Sequence, residues 1–364
     1  MIQNTTVNIL SPGFTSPNGT AFLHPLLVHR HPLEDVGITI NITSDKDRAE
    51  QDCDVLGIDS KMFRYEWEHN RESILEFLKR AQNKVSSVIW FDTTDSTGTL
   101  QQAVLPFVDL YCKSQLLVDR SQYGRSFYGG RIFTDFYHSH DHIEDEDPVC
   151  EEPLDVSKYG QKLSVSWNSC LSTYSLLGPW LIGAYRRLPL SLFLRYPRTW
   201  TSPESIRPND LSARFGTTHG RRTVRYQREQ IRKILGQRMD TEKLGRRAYM
   251  REMRNSRLVM SPFGWGEITL KDFEVFLTGG LLVKPSMAHL ETWPDLYKAG
   301  ETYIDHRWDL EDLEQKLEDG IADDQNRMRM AEAGQARYRE SLVGTQAGER
   351  FALHLRRLLD RAPL

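Results

Sequence analysis

Short apolar runs alternate with amphipathic stretches along most of this chain. Thr6–Leu10, Gly37–Thr43 and Val55–Ile58 are β-type runs bounded by polar turns, a pattern that predicts strands. Ser11–Thr20, rich in Ser, Pro, Gly and Asn, predicts a loop after the first of them. Over Glu72–Gln82 the apolar residues Ile74, Leu75, Phe77 and Leu78 share one side of a helix. Lys84–Phe91 ends in the strongly apolar run VSSVIWF and is followed by the polar turn DTTDSTG. Val108–Cys112 and Lys162–Trp167 predict later strands, and Asp141–Glu152 between them reads as an acidic, exposed stretch.

The same alternation resumes further on. Asp210–Phe215 predicts a strand, Thr223–Leu235 and Leu244–Asn255 helices, and Arg257–Ser261 the next strand. A Gly-rich turn and a helix follow, then strands at Leu281–Lys284 and Thr302–Asp305. Helices at Leu310–Leu317, Asp324–Leu342 and Gln346–Leu359 close the chain. Between the two halves, YPRTWTSPESIRPN holds three prolines among polar residues, as a connection does. The expected fold class is therefore α/β, with two Rossmann-like domains facing a cleft. Residues 1–195 form the first unit, 196–209 the linker and 210–345 the second unit. Residues 346–364 form a terminal helix that packs back on the first unit.

A length of 364 residues suits two cores better than one. An apolar share of 39% beside 27% charged residues is enough to fill both. No run of about 18 apolar residues predicts a spanning helix. The first 25 residues read as a strand and a loop, not as an export signal. Cys53, Cys112, Cys150 and Cys170 lack the close spacing of zinc or redox pairs, which predicts reduced thiols in a cytoplasmic protein. The sequons at Asn4, Asn18 and Asn41 then carry no weight. The net charge of −3 conceals an asymmetry: Leu171–Met260 holds 19 Arg or Lys against 6 Asp or Glu. Such a surplus suits an anionic partner, whether a nucleotide diphosphate, a membrane surface or nucleic acid, and is equally compatible with solvated helix faces.

The segment SPFGWGEITLKDFEVFLTGGLLVKP, Ser261–Pro285, carries the most chemistry. A strand ends at Pro262, Gly264 and Gly266 make a turn, and a helix begins near Thr269. Glycines there let a bulky ligand approach the backbone, and the helix start offers N–H groups and partial positive charge to a phosphate. Lys271 in the first helical turn is disfavoured by the helix dipole unless an anion sits beside it. Glu267 and Glu274, seven residues apart, would share a face with Lys271. One of these carboxylates, Glu267 or Glu274, would hold the vicinal hydroxyls of a ribose and the other would face a donor sugar. The alternative is a surface ladder in which the three charges neutralise one another.

These residues resemble the donor-binding core of group 1 and exostosin-like glycosyltransferases, whose two-Rossmann architecture is called GT-B. The resemblance rests on Ser261, Pro262, Gly264, Gly266, Glu267, Lys271, Phe273, Glu274, Gly279 and Gly280, with Asn255–Ser256 before them and the tail MRMAEAGQARYRESL after. It covers residues 214–364 well and is weak before them. It implies sugar transfer from a nucleotide-sugar, bound as substrate, to a glycan or lipid-linked hydroxyl, with no cofactor and no metal. It also implies a role in polysaccharide biosynthesis and a cytoplasmic location, compatible with peripheral contact at the inner membrane face. Retaining members place two glutamates eight residues apart, whereas the residue eight before Glu274 is Gly266. Retention or inversion therefore stays open.

By the same similarity Gly216, Thr217, Arg221 and Arg222, in ARFGTTHGRRTVRYQRE, would stabilise the departing diphosphate, because preorganised donors aimed at developing charge lower a barrier. Pairing of those arginines with Glu229 is the competing reading. An inverting reaction needs a base from the first domain. Asp92 and Asp95 after the VSSVIWF strand are the candidates, though a helix cap or turn role suits either. Ser11–Thr20, with Gly13, Asn18 and Gly19, would form the acceptor side.

His138, His140 and His142, with Asp135 and Asp141, could ligate a metal from extended chain, but their acidic surroundings read as an exposed loop. None of the Asp-x-Asp triplets follows an apolar strand, which argues against a metal-using single-domain transferase. Three rivals remain: a nucleotide-sugar epimerase, a non-catalytic nucleotide-sugar-binding protein and, on the arginines alone, a nucleic-acid binder, though no aromatic-interleaved motif supports the last and no nucleic-acid partner is expected. A dehydrogenase is disfavoured because no GxGxxG follows the first strand.

Overall fold

The computed structural model describes residues 4–236 and 241–363. The ends of the first expected unit and of the terminal helix, and residues 237–240 of the second unit, lie outside the described residues. The first seven strands are β1 (Thr5–Leu10), β2 (Ile38–Thr43), β3 (Val55–Asp59), β4 (Ser87–Asp92), β5 (Leu110–Lys113), β6 (Gln115–Leu117) and β7 (Leu163–Val165). The remaining five are β8 (Asn209–Ser212), β9 (Ser256–Met260), β10 (Leu281–Pro285), β11 (Leu290–Thr292) and β12 (Ile304–His306).

One sheet has the order β2-β1-β3-β4-β5-β7 and a second β12-β10-β9-β8, parallel throughout. The fold is thus two Rossmann-like α/β units, and the cleft lies between them. Parallel sheets are covered on both faces, so their strands are apolar on both. In β9 and β10, Leu258, Met260, Leu281 and Val283 enter one core while Val259 and Leu282 enter another. In the first sheet Val7, Ile9, Ile89 and Phe91 pack on the side of helix Pro17–Val28, and Leu56, Ile58, Val88 and Trp90 on the side of helix Arg71–Ala81. The order of the first sheet reverses between β1 and β3, the place where doubly wound sheets open a crevice.

The two units are locked together behind the cleft. β6 pairs antiparallel with β11, matching Leu116 to Glu291. Asn168 donates to the Thr292 hydroxyl at 2.9 Å and the Pro294 carbonyl at 2.8 Å. The last helix, Thr345–Leu359, lies on the first sheet: Phe351 meets Trp167 edge-on at 5.1 Å, and Arg356 donates to the Thr5 hydroxyl at 3.0 Å.

Three stretches fold differently from their sequence reading. Ser11–Thr20 is not a loop throughout, because helix Pro17–Val28 starts inside it. Ser16 caps that helix by accepting from the Gly19 N–H at 3.1 Å, and Pro17 suits its first turn. The histidine stretch is helix Ile132–Asp141, with Ile132, Phe133 and Tyr137 buried. The acidic stretch is not simply exposed. Asp145 is buried and accepts from the Thr223 N–H at 2.9 Å and its hydroxyl at 2.6 Å, capping a helix of the other unit. Among the described residues no helix is long and apolar enough to cross a membrane.

Candidate functional site

The carboxyl ends of both sheets converge on a cleft of about 410 Å³, within the range of small-molecule sites. From the first unit come Ser16–Asn18 after β1, Lys61 and Arg64 after β3, and Asp92–Asp95 after β4. Ser114–Gln115 after β5 and Ser166–Ser169 after β7 complete that wall. From the second come His219, Arg228 and the run from Gly264 to Leu270 except Glu267.

The second wall is built on the turn after β9. Thr269 caps helix Leu270–Thr278 in a capping box with Asp272. Asp272 also accepts from Ser261 at 2.6 Å and Tyr297 at 2.8 Å and pairs with buried Lys284 at 3.2 Å. This network holds the helix start at the cleft. The turn is gripped from helix Arg222–Leu235: Gln227 accepts from the Phe263 N–H at 3.0 Å, and Arg228 donates to the Phe263 carbonyl at 2.7 Å and the Gly216 carbonyl at 2.9 Å.

Arg228 lines that wall, whereas Lys271, which follows the lining residue Leu270, is not itself among the lining residues. Lys271 donates to the carbonyls of Arg214 and Met260. Among the described residues, neither cation forms an ion pair. Burial and then the Arg228 charge lower Lys271 to about 7, and burial lowers Arg228 to about 10. Burial, Arg228 and Arg131 together lower His219 to about 4, so its imidazole is neutral at pH 7. Trp265 stands over the cleft edge, its ring 5.3 Å from His219 and 5.4 Å from the Arg131 guanidinium.

Several sequence candidates are buried and engaged by other residues. Glu267 precedes the helix cap, so it shares no helical face with Lys271. It is fully buried at the unit interface, accepting from the Thr97 N–H at 3.1 Å, 3.7 Å from His289. Burial would raise it, but His289 and the Thr97 N–H outweigh this and hold it below the ordinary range. Glu274 is buried against Arg246 and accepts from the Tyr249 hydroxyl at 2.8 Å, away from the lining residues. Asp92 reaches the cleft floor but is not free to act as a base. Lys113 and Tyr111 each donate to it at 2.6 Å, and although burial raises its pKa, Lys113 holds it low.

The remaining candidates divide. Gly264, Gly266, Asn18 and Asp95 line the cleft, and the Asn18 amide donates to the Asp95 carboxylate. Gly13, at φ +77°, supplies a turn, and Gly19 lies within the first turn of its helix. Gly216 acts through its carbonyl on Arg228, and Thr217 stands half-buried beside it. Arg221 reaches the Gly129 carbonyl at 3.3 Å and the Trp265 ring, while Arg222 is exposed. His138 stacks on Tyr128 at 3.7 Å and His140 on Phe136 at 5.0 Å, so the helix sends these two rings to different partners.

Arg228 went unnoticed in sequence, yet a signal was present. It follows Val224 by four residues and precedes Ile231 by three, on the face whose neighbours are core. An arginine there needs a partner that surface arginines do not.

No family model and no curated protein matches the sequence. Solved structures do align along nearly the whole chain. Anabaena HepE in complex with UDP-glucose aligns at 10% identity and TM-score 0.44, over 97% of this chain and 100% of its own. A glycosyltransferase from Rickettsia africae aligns at 7% and 0.48, over 99% of each chain. S. aureus MnaA with UDP aligns at 11% and 0.40, over 99% and 98%. At such identities and scores these likenesses carry no functional weight.

Proposed function

We propose that this chain is a glycosyltransferase that binds a nucleotide-diphosphate sugar in the interdomain cleft and passes the sugar to a glycan or lipid-linked hydroxyl. The observation that carries this reading is Arg228 on the cleft wall with Lys271 next to it, two cations that form no ion pair among the described residues, beside the start of helix Leu270–Thr278. Like charges in a half-buried site disfavour one another, and a diphosphate between them relieves both. The helix end adds its partial positive charge to the same place. As the sugar leaves, negative charge grows on the diphosphate, and these fixed cations lower the barrier without a metal ion.

Asp95, on the opposite wall, is the group suited to take the acceptor proton. It is exposed at the cleft, and Asn18 orients its carboxylate. This assigns the first unit to the acceptor and the second to the donor. The free thiols of Cys53, Cys112, Cys150 and Cys170 suit a reducing compartment such as the cytoplasm.

The test is thermal stabilisation by UDP-, GDP-, CMP- and TDP-sugars, since a ligand that binds the folded state raises its melting temperature. One donor is expected to stabilise the native chain and to lose that effect in Arg228→Ala. Equal stabilisation of both proteins would overturn the assignment. Nucleotide release that requires an added acceptor separates transfer from epimerisation and from binding alone.

A further inference from the structure

Exposed large apolar side chains are concentrated in one short stretch. Leu177, Trp180, Leu188, Leu190 and Leu192 are between 43% and 63% exposed. They belong to helix Gly178–Arg187 and the irregular chain after it, where every residue from Arg186 to Leu192 is exposed. The two arms are joined by an edge-on contact of 6.2 Å between Trp180 and Phe193. Core burial does not explain this pattern, and a contiguous exposed apolar surface of this kind marks an interaction site.

The charge along this stretch of the chain has one sign. Arg186, Arg187, Arg195 and Arg198 flank the leucines, and no Asp or Glu occurs between Asp155 and Glu204. Behind the patch lies a groove of about 460 Å³, walled by Leu176, Leu177 and Leu181 with Arg195, Arg198 and Arg254. Exposed leucines and a tryptophan interspersed with arginines match the interfacial zone of a bilayer, where apolar groups enter the acyl boundary and cations meet lipid phosphates.

We infer that residues 177–198 form a docking surface for an anionic lipid bilayer. The patch also connects to the first unit's wall of the cleft. Tyr185 of its helix packs on Phe14 at 5.1 Å, and the chain from Phe14 runs into Ser16–Asn18 of the lining. The docking itself does not require the donor reading to be right.

The experiment is flotation of the full chain with vesicles of phosphatidylcholine, alone or mixed with phosphatidylglycerol. Native protein is expected to float with the anionic vesicles, and each arginine at the surface contributes roughly fivefold at low salt. A Leu188→Ser/Leu190→Ser/Leu192→Ser variant is expected to lose on the order of tenfold or more in affinity. Arg186→Glu/Arg187→Glu is expected to lose at least as much at low salt, and less at high salt. All five positions are exposed, so melting temperature and donor stabilisation stay native. Failure of the native chain to bind anionic vesicles, or equal binding by the leucine variant, overturns the inference. So does a native dimer that this variant turns into monomer while vesicle binding is unchanged, which would assign the patch to a second copy.

Discussion

Gly266 and Asp95 meet across the cleft: a Cβ placed on Gly266 would overlap the Asp95 carbonyl oxygen. That carbonyl also accepts from the Gln115 amide, so it cannot easily retreat. The glycine is there for the other unit's backbone as much as for a ligand. Gly266→Ala is expected to force the two walls apart at a cost of about 1–3 kcal/mol. A fall in melting temperature together with weakened donor stabilisation checks it, whereas Gly264→Ala, with only ordinary contacts nearby, should leave stability unchanged.

Two aspartates three residues apart should behave oppositely. Asp92→Asn leaves the fully buried Lys113 ammonium without its countercharge, which costs about 3–5 kcal/mol. Asp95→Asn alters an exposed side chain and should cost no more than about 0.5 kcal/mol. If Asp95 is the base, its replacement lowers turnover about 10²–10⁴-fold. Denaturant melts and acceptor-dependent turnover of the two variants separate the roles.

Among the arginines of helix Arg222–Leu235 and its start, Arg228 should dominate donor binding. Arg228→Ala removes both the cation and the grip on the Phe263 carbonyl. Exposed Arg222→Ala should change donor affinity less than about twofold, by the small worth of exposed charges. Titration calorimetry with the stabilising nucleotide diphosphate measures both.

Lys271 makes donor binding depend on pH. Its pKa in the unliganded fold is about 7, and an anion beside it favours the charged form. Binding above pH 7 therefore takes up a proton, and affinity should fall with rising pH by at most about tenfold per unit. For folding the sign is opposite. Between about 7 and the ordinary lysine value the unfolded chain binds this proton and the folded chain does not, so this group makes stability rise with pH. Lys271→Met should flatten both slopes, as calorimetry in buffers of different ionisation enthalpy and melts across pH 6–10 would show.

Local pattern made the helix starting at Thr269 and the strands around Val7, Ile89 and Val283 legible, because their burial repeats within a few residues. Helix Pro17–Val28 was obscured for the opposite reason. Ser16, Pro17, Asn18 and Gly19 are turn formers, and a capped helix start uses the same residues as a loop. The pairing of β6 with β11 left no signal, since three residues from each unit meet only after both have folded.

What the sequence determined by itself is the α/β alternation, the turn at Gly264–Gly266 and the presence of unusual charges around it. Which charges face a ligand was decided by tertiary structure. Glu267, Glu274 and Asp92 look as eligible as Asp95 in one dimension, yet His289, Arg246 with Tyr249, and Lys113 with Tyr111 each engage one of them from a distant segment. Among the described residues Arg228 and Lys271 form no such ion pair. A carboxylate or cation is available for chemistry only if packing leaves it without a countercharge, and that balance is set by neighbours remote in sequence.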